Sequence, residues 1–90
     1  MKIQWSLAAW RDLEGIQDYL IGKSPRGAER IWTRIHRRVG LLADFPFAAP
    51  VHGNGPARKL VVAGTPYIVL YLVEGGLVKI EAVFHGARNF

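Results

Sequence analysis

The chain has 90 residues, a hydrophobic fraction of 50% and a formal net charge of +5. This length fits one domain, over residues 1–90, with one modest core that buries roughly 60–65% of the unfolded surface. The absence of cysteine excludes disulfide bonds and thiolate metal sites. The positive charge favours an anionic partner, either a nucleic acid or an acidic protein segment.

Two stretches bear on targeting and membranes. The N-terminus "MKIQWSLAAW" has no uninterrupted apolar run, so no signal peptide is predicted. The longest nearly uncharged stretch, "LVVAGTPYIVLYLV", contains Gly64 and Pro66 and is too short to span a bilayer as a helix. We therefore expect a soluble protein of the cytoplasm that has no membrane partner.

The first half of the chain predicts one strand and two helices. "KIQW" alternates as a strand does, Ser6 is a suitable N-cap, and apolar residues then recur at helical spacing as far as Leu20. This helix is expected to end near Gly22. Ser24 and Pro25 begin a second helix as N-cap and first helical residue. A connection of about three residues predicts an antiparallel helical hairpin.

The second half predicts three strands. Pro46 and Pro50 oppose continuation of the second helix, and "VHGNGPA" has the composition of a loop. "RKLVVA", "YIVLYLV" and "LVKIEAVFH" are rich in β-branched and aromatic residues, and "GTP" and "EGG" supply the turns between them. The predicted fold is α+β, in the order β-α-α-β-β-β, with the helical hairpin packed on a small antiparallel sheet.

The last predicted strand has two alternating sets of side chains. Val78, Ile80, Ala82 and Phe84 form the more apolar set and are predicted to face the helical hairpin. His85 belongs to the other set, so we predict that it points away from the hairpin, toward a face where a ligand can bind.

Five segments in this order resemble the RelE/ParE superfamily of bacterial toxins from toxin–antitoxin operons. They are "IQWS" with "AWRDLEGIQDYL", then "SPRGAERIWTRI", "LLADFP", "RKLVVAGTPYIVLYLV" and "VKIEAVFHGARNF". The segments "GTPYIVLYLV" and "FHGAR" are the most specific, and they resemble the ParE branch more than the RelE branch. The resemblance implies the RelE/ParE toxin fold and a cognate antitoxin, whose acidic or amphipathic segment wraps the toxin.

The two branches differ in their targets. ParE-type members poison DNA gyrase and have no accepted chemistry of their own, whereas RelE-type members are metal-free endoribonucleases that cut mRNA on the ribosome. The leading hypothesis is therefore a ParE-like gyrase poison that is not an enzyme. The first alternative is a RelE-like ribosome-dependent mRNA endonuclease, and the second is an inactive toxin fold that only binds the antitoxin.

Metal-free RNA cleavage needs a base for the 2′-hydroxyl, a proton donor for the leaving oxygen and cations that stabilise the phosphorane. Lys59 and Arg88 match cations of the RelE-type members, and His85 could act as a base near neutral pH. Val61 and Ile68 stand where those members tend to carry cations. The nuclease set is therefore incomplete, which favours gyrase as the target.

The candidate target-binding residues lie on the last three predicted strands and just beyond them. The two tyrosines of the set could stack a nucleobase. Arg88 could contact a phosphate or an acidic surface, or it could be a solvated arginine or the partner of Glu81. His85 could be a hydrogen-bonded strand-end histidine. Strand neighbours point to opposite faces, so Arg58 and Lys59 can face one anion together only in part, and one of them is expected to be a solvent-facing charge. The set comprises Arg58, Lys59, Tyr67, Tyr71, His85 and Arg88.

The second predicted helix carries a row of arginines opposite its apolar seam. The spacing of Arg30, Arg34 and Arg37 places them on one side of the helix, where they are candidate antitoxin-binding residues or a solvated outer face. His36 and His52 have no metal-ligand spacing with other candidates, so no metal site is assigned. No cofactor is assigned either.

Overall fold

The computed structural model describes residues 1–88 of the chain, with Arg88 described by its backbone alone. The elements follow the predicted order and confirm the α+β fold with its helical hairpin. They are β1 (Lys2–Trp5), α1 (Leu7–Lys23), α2 (Pro25–Leu41), β2 (Arg58–Val61), β3 (Tyr67–Glu74) and β4 (Leu77–His85), and a short 3-10 turn at Gly86–Arg88 follows.

Two serines define the ends of the helices. The Ser6 hydroxyl accepts a hydrogen bond from the backbone N–H of Ala9 at 3.0 Å, and the Ser24 hydroxyl accepts one from Gly27 at 3.1 Å. The N–H of Ser24 also closes the last turn of α1 at 2.8 Å. Ser24 alone separates the helices, where about three residues were expected. Because Pro25 cannot continue α1 but suits the first position of α2, the chain reverses at this residue.

The four strands form one sheet in the order β1-β4-β3-β2. The pairs β2–β3 and β3–β4 are antiparallel, but β1 runs parallel to β4, so the sheet is mixed rather than antiparallel throughout. Segment 42–57 carries the chain back along the sheet, and two tight turns then leave β4 running in the direction of β1. The second turn uses Gly75 and Gly76 at φ +60° and +74°, values that suit a two-residue hairpin loop.

The core lies between one face of the sheet and the inner faces of both helices. Each aliphatic side chain buried there contributes about 1.5–3 kcal/mol to the free energy of unfolding. The opposite, open face of the sheet is not covered by the helical hairpin. The largest fully buried side chains are Leu13, Ile35, Leu42, Val62, Val69, Tyr71, Val78 and Ile80.

A β-bulge interrupts the alternation of β4. Leu70 pairs with Ala82 but Tyr71 pairs with Ile80, so Glu81 is an extra residue in β4. One extra residue inverts the facing of every side chain that follows it in the strand. Val83 is therefore buried on the hairpin side, where its backbone N–H donates to Asp12 Oδ2 at 3.0 Å.

The bulge overturns part of the predicted arrangement of β4. Val78 and Ile80 face the hairpin as predicted, but Ala82 and Phe84 lie on the open face. His85 pairs with Tyr67, a member of the core, so it lies on the hairpin side of the sheet. The prediction that His85 points away from the hairpin is wrong, because it assumed an uninterrupted strand.

Candidate functional site

His85 lies at the edge of a groove of about 600 Å³ between α1 and the ends of β3 and β4. The floor of the groove is apolar and includes Ile16 and Ile31, while Asp12 and Tyr19 line it from α1. The Tyr67 ring meets the His85 ring edge-on, with the ring centroids 5.6 Å apart. The predicted ligand-facing histidine therefore belongs to a groove between helix and strand.

The hydrogen bonding of His85 decides which chemistry it can perform. Its Nδ1 accepts a hydrogen bond from the backbone N–H of Ala87 at 3.1 Å. In the neutral ring the proton must then be on Nε2, because only one of the two nitrogens carries it. The nitrogen left for a ligand is a donor rather than a base. This arrangement matches the strand-end histidine that the sequence left as an alternative.

Both tyrosines of the predicted target-binding set are buried. Tyr71 has no exposed surface, and its hydroxyl donates to the carbonyl of Pro46 at 2.8 Å and accepts from the N–H of Ala49 at 3.3 Å. Tyr67 is a member of the hydrophobic core. Their burial conflicts with the prediction that these rings stack on a nucleobase, and Tyr71 instead supports the segment between α2 and β2.

Arg58 and Lys59 occupy opposite faces of β2, as strand geometry requires. The Arg58 guanidinium donates to the carbonyl of Ala49 at 2.7 Å and lies over the Phe47 ring, 5.0 Å from its centroid. Lys59 pairs with Leu70 on the open face. Farther along that face, Lys79 and Glu74 form a salt bridge of 2.9 Å, which lowers the pKa of Glu74 and raises the pKa of Lys79. Arg58 is thus engaged within the protein, and Lys59 is the member of the pair available to a ligand.

Of the three residues proposed for RNA cleavage, the two whose side chains are described are not brought together. Lys59 lies on the open face and His85 on the hairpin side, so the sheet separates them. The backbone of Arg88 ends the 3-10 turn after β4, and its side chain lies outside the described part of the chain.

The arginines of α2 form an exposed cationic surface. Arg30, Arg34 and Arg37 are exposed and line one shallow groove of about 530 Å³, together with Arg26 and Glu29. Arg34 also donates to the carbonyl of Ala63 at 3.1 Å, which ties the groove to the end of β2. Within residues 1–88, no α2 arginine forms a salt bridge. We name Arg30, Arg34 and Arg37 the arginine face.

Sequence reasoning missed an aromatic cluster around His36. Its ring lies between those of Trp32 and Trp5, with centroid distances of 4.5 and 5.4 Å, and Trp10 packs edge-on against both indoles. His36 Nε2 is buried, and it has no hydrogen-bond partner in the described chain. Burial therefore lowers the pKa of His36, because the charged ring would lose its hydration.

This burial predicts that His36 makes stability dependent on pH. As the pH falls, His36 takes up a proton in the unfolded chain before it does so in the folded protein. The free energy of unfolding therefore decreases between about pH 6.5, the ordinary pKa of histidine, and the lower pKa of His36 in the folded state. Substituting His36→Phe removes the titrating group and keeps a ring between the indoles. Between about pH 7.5 and about pH 5, we expect the melting temperature of the wild type, measured by circular dichroism, to fall further than that of His36→Phe. If the melting temperatures of both proteins fall equally, His36 is not the group that makes the stability depend on pH.

A protein-family model described as the ParE toxin of type II toxin–antitoxin system, parDE, matches residues 3–90. This chain belongs to the ParE toxin family. The match covers both helices, β2 to β4 and all of β1 except Lys2, so it includes the arginine face and the groove beside His85. Membership in a type II system implies a cognate antitoxin as the partner of this ParE-family toxin.

Individual relatives agree with the family assignment. "Toxin RelE2" of Caulobacter vibrioides is 34% identical over 87 residues, which is 97% of each chain. A relative from Sinorhizobium fredii is 34% identical over 89 residues and matches 99% of this chain and 92% of its own. Among solved structures, one titled "Chromosomal ParDE TA system from P. aeruginosa" superimposes with a TM-score of 0.82 at 23% identity, covering 94% of this chain and 95% of that one. That superposition shows the shared fold.

The helices of this toxin also bear on membranes. Neither helix of the described chain combines the length and the apolar character that a bilayer span needs.

Proposed function

We propose that this ParE-family toxin acts in the cytoplasm by binding DNA gyrase and trapping it on DNA, and that its cognate antitoxin neutralises it. The observation that carries the choice of gyrase over RNA is the separation of the nuclease candidates. Lys59 and His85 lie on opposite faces of the sheet. Among the described side chains, the nuclease candidates therefore do not form one reactive site, which supports a mode of action by binding, and a gyrase poison needs binding alone.

The chemistry of RNA cleavage supports the same choice. A base, an acid and a phosphorane-stabilising cation must all reach one phosphodiester within hydrogen-bond distance. The sheet keeps Lys59 and His85 from reaching one phosphodiester together, and the Nδ1 of His85 already accepts a hydrogen bond from the N–H of Ala87. The specific observation that favours the ribosome is the name of one relative, "Toxin RelE2". The experiment below therefore has a ribosomal arm.

The arginine face suits the acidic segment of an antitoxin. Its guanidinium groups have no carboxylate partners within residues 1–88, and they contribute three of the positive charges behind the net charge of +5. Exposed arginines bind carboxylates by paired hydrogen bonds as well as by charge. We therefore assign the antitoxin-binding role to Arg30, Arg34 and Arg37, and target contact to other surfaces of the toxin.

The test uses purified toxin in two reactions. In the first, gyrase supercoils a relaxed plasmid; we expect supercoiling to fall and cleaved gyrase–DNA complexes to accumulate as toxin is added, and the cognate antitoxin to reverse both effects. In the second, a reconstituted translation reaction reports mRNA cleavage on the ribosome, and we expect none.

Three outcomes separate the alternatives. Active gyrase at toxin excess contradicts the proposal. Cleavage of ribosome-bound mRNA assigns the toxin to the RelE-type nucleases. If neither reaction responds and expression without antitoxin leaves growth unchanged, the chain is an inactive antitoxin-binding module.

A further inference from the structure

Two large aromatic side chains project from the segment between α2 and β2. Phe45 is 62% exposed and Phe47 is 61% exposed, although phenylalanine is among the residues most often buried. We name residues 44–50 the aromatic loop. Exposed apolar clusters of this kind on a folded protein mark sites of interaction.

The exposure does not come from a loose loop, because side-chain hydrogen bonds from Tyr71 and Arg58 fix the backbone on both sides of Phe47. The Tyr71 hydroxyl bonds to Pro46 and Ala49, and the Arg58 guanidinium bonds to the carbonyl of Ala49 and covers one face of the Phe47 ring. Ala49 itself is buried. The backbone that carries both rings, and the Phe47 ring itself, are therefore held in place before any partner binds, which lowers the entropy cost of binding.

Further apolar side chains extend the surface around Phe45. Its backbone N–H donates to the carbonyl of Leu41 at 3.0 Å, and the N-terminal ammonium of Met1 donates to the carbonyl of Ala43 at 2.9 Å. Leu41 and Met1 are themselves exposed. Phenylalanine and methionine are enriched at the centres of protein–protein interfaces.

The charge of this segment indicates which class of partner it fits. Residues 41–57 contain no lysine and no arginine, and Asp44 is their one carboxylate. Two cations reach the segment from elsewhere, the Met1 ammonium and the Arg58 guanidinium, and both donate to its backbone carbonyls, at Ala43 and Ala49. A surface that binds nucleic acid combines aromatic rings with cations along the phosphate backbone. An acidic antitoxin segment is attracted to the arginine face instead. The aromatic loop therefore suits a protein surface with an apolar hollow.

We propose that the aromatic loop inserts Phe45 and Phe47 into an apolar hollow on the protein target of the toxin, at a site separate from the arginine face. The inference rests on the proposed function, because it requires that the target be a protein, and the proposed function names gyrase as that protein. A toxin built this way presents one surface to its antitoxin and another to its target.

The test compares the double variant Phe45→Ala/Phe47→Ala with Leu7→Ala, which removes a side chain that is 64% exposed at the start of α1. The readouts are half-inhibition of gyrase supercoiling, growth arrest at graded toxin expression, antitoxin affinity and melting temperature. We expect the double variant to need about tenfold more toxin for half-inhibition, and to cause less growth arrest. Its antitoxin affinity and melting temperature should stay close to the wild type, as should every readout for Leu7→Ala.

The growth-arrest readout tests the aromatic loop independently of whether gyrase is the target. If wild-type toxin leaves gyrase active, the gyrase proposal fails, but relief of growth arrest in the double variant still supports the aromatic loop. Unchanged growth arrest in the folded double variant overturns the inference. If the double variant loses antitoxin affinity to the same extent, the antitoxin occupies the aromatic loop and the inference is overturned. If the double variant loses a toxin dimer that the wild type forms, measured by size-exclusion chromatography with light scattering, a second copy of the toxin occupies it and the inference is likewise overturned.

Discussion

Tyr71→Phe is expected to lower the free energy of unfolding by about 2 kcal/mol, and the melting temperature by roughly 8–16 °C for a chain of this size. The substitution keeps the ring that fills the core and removes the hydroxyl alone. The carbonyl of Pro46 and the N–H of Ala49 then lose their hydrogen-bond partner, and the N–H of Ala49 is left unpaired in a buried position. Unfolding in urea measures the change in free energy directly.

Tyr19→Phe is the matched control, because Tyr19 is 54% exposed and its hydroxyl makes no hydrogen bond within the described residues. We expect the control to change the free energy of unfolding by less than about 0.5 kcal/mol. Hydrogen exchange at the Ala49 amide should be faster in Tyr71→Phe and unchanged in the control. If both variants unfold at the same urea concentration, the hydroxyl does not stabilise the aromatic loop.

The double charge reversal Arg30→Glu/Arg37→Glu is expected to weaken antitoxin binding about a hundredfold at roughly 150 mM salt. Each substitution removes two units of charge, so the formal net charge falls from +5 to +1. The toxin should still fold, because both side chains are exposed and neither is in the core. Isothermal titration calorimetry with the cognate antitoxin measures the affinity.

A control variant distinguishes an effect of where the charges lie from an effect of the total net charge. Lys2→Glu/Arg38→Glu changes the net charge equally at two exposed residues outside the groove of the arginine face. We expect this control to lose at most a few-fold in affinity, by general electrostatics. The difference between the two variants should shrink at about 0.5 M salt, where exposed charges are screened. Equal losses would show that the antitoxin responds to net charge alone.

Local signals predicted most of the fold. Ser6, Ser24 and Pro25 mark helix ends through hydrogen bonds and ring geometry that involve only near neighbours, and the structure places the ends there. The strands likewise fall where β-branched and aromatic residues cluster. The parallel pairing of β1 with β4 was missed, because it depends on the path of segment 42–57, which no local pattern describes.

The candidate site was predictable only in part. The arginine face follows from helical periodicity and is exposed as expected. The burial of Tyr71, the occupied guanidinium of Arg58 and the buried Nε2 of His36 depend on residues distant in the chain. Phe45 and Phe47 were overlooked because a loop has no periodicity from which exposure can be inferred, although two phenylalanines around one proline were a visible signal.

The sequence by itself determined the family, the order of the elements and the row of arginines on α2, since each depends on residue identity at short spacing. Only the tertiary structure decided which face of the sheet His85 occupies. One extra residue at Glu81 inverts the facing of the side chains after it, and the bulge forms because Leu70 pairs with Ala82 whereas Tyr71 pairs with Ile80. That pairing places His85 beside α1 and across the sheet from Lys59, and this separation is the observation on which the proposed binding of gyrase rests.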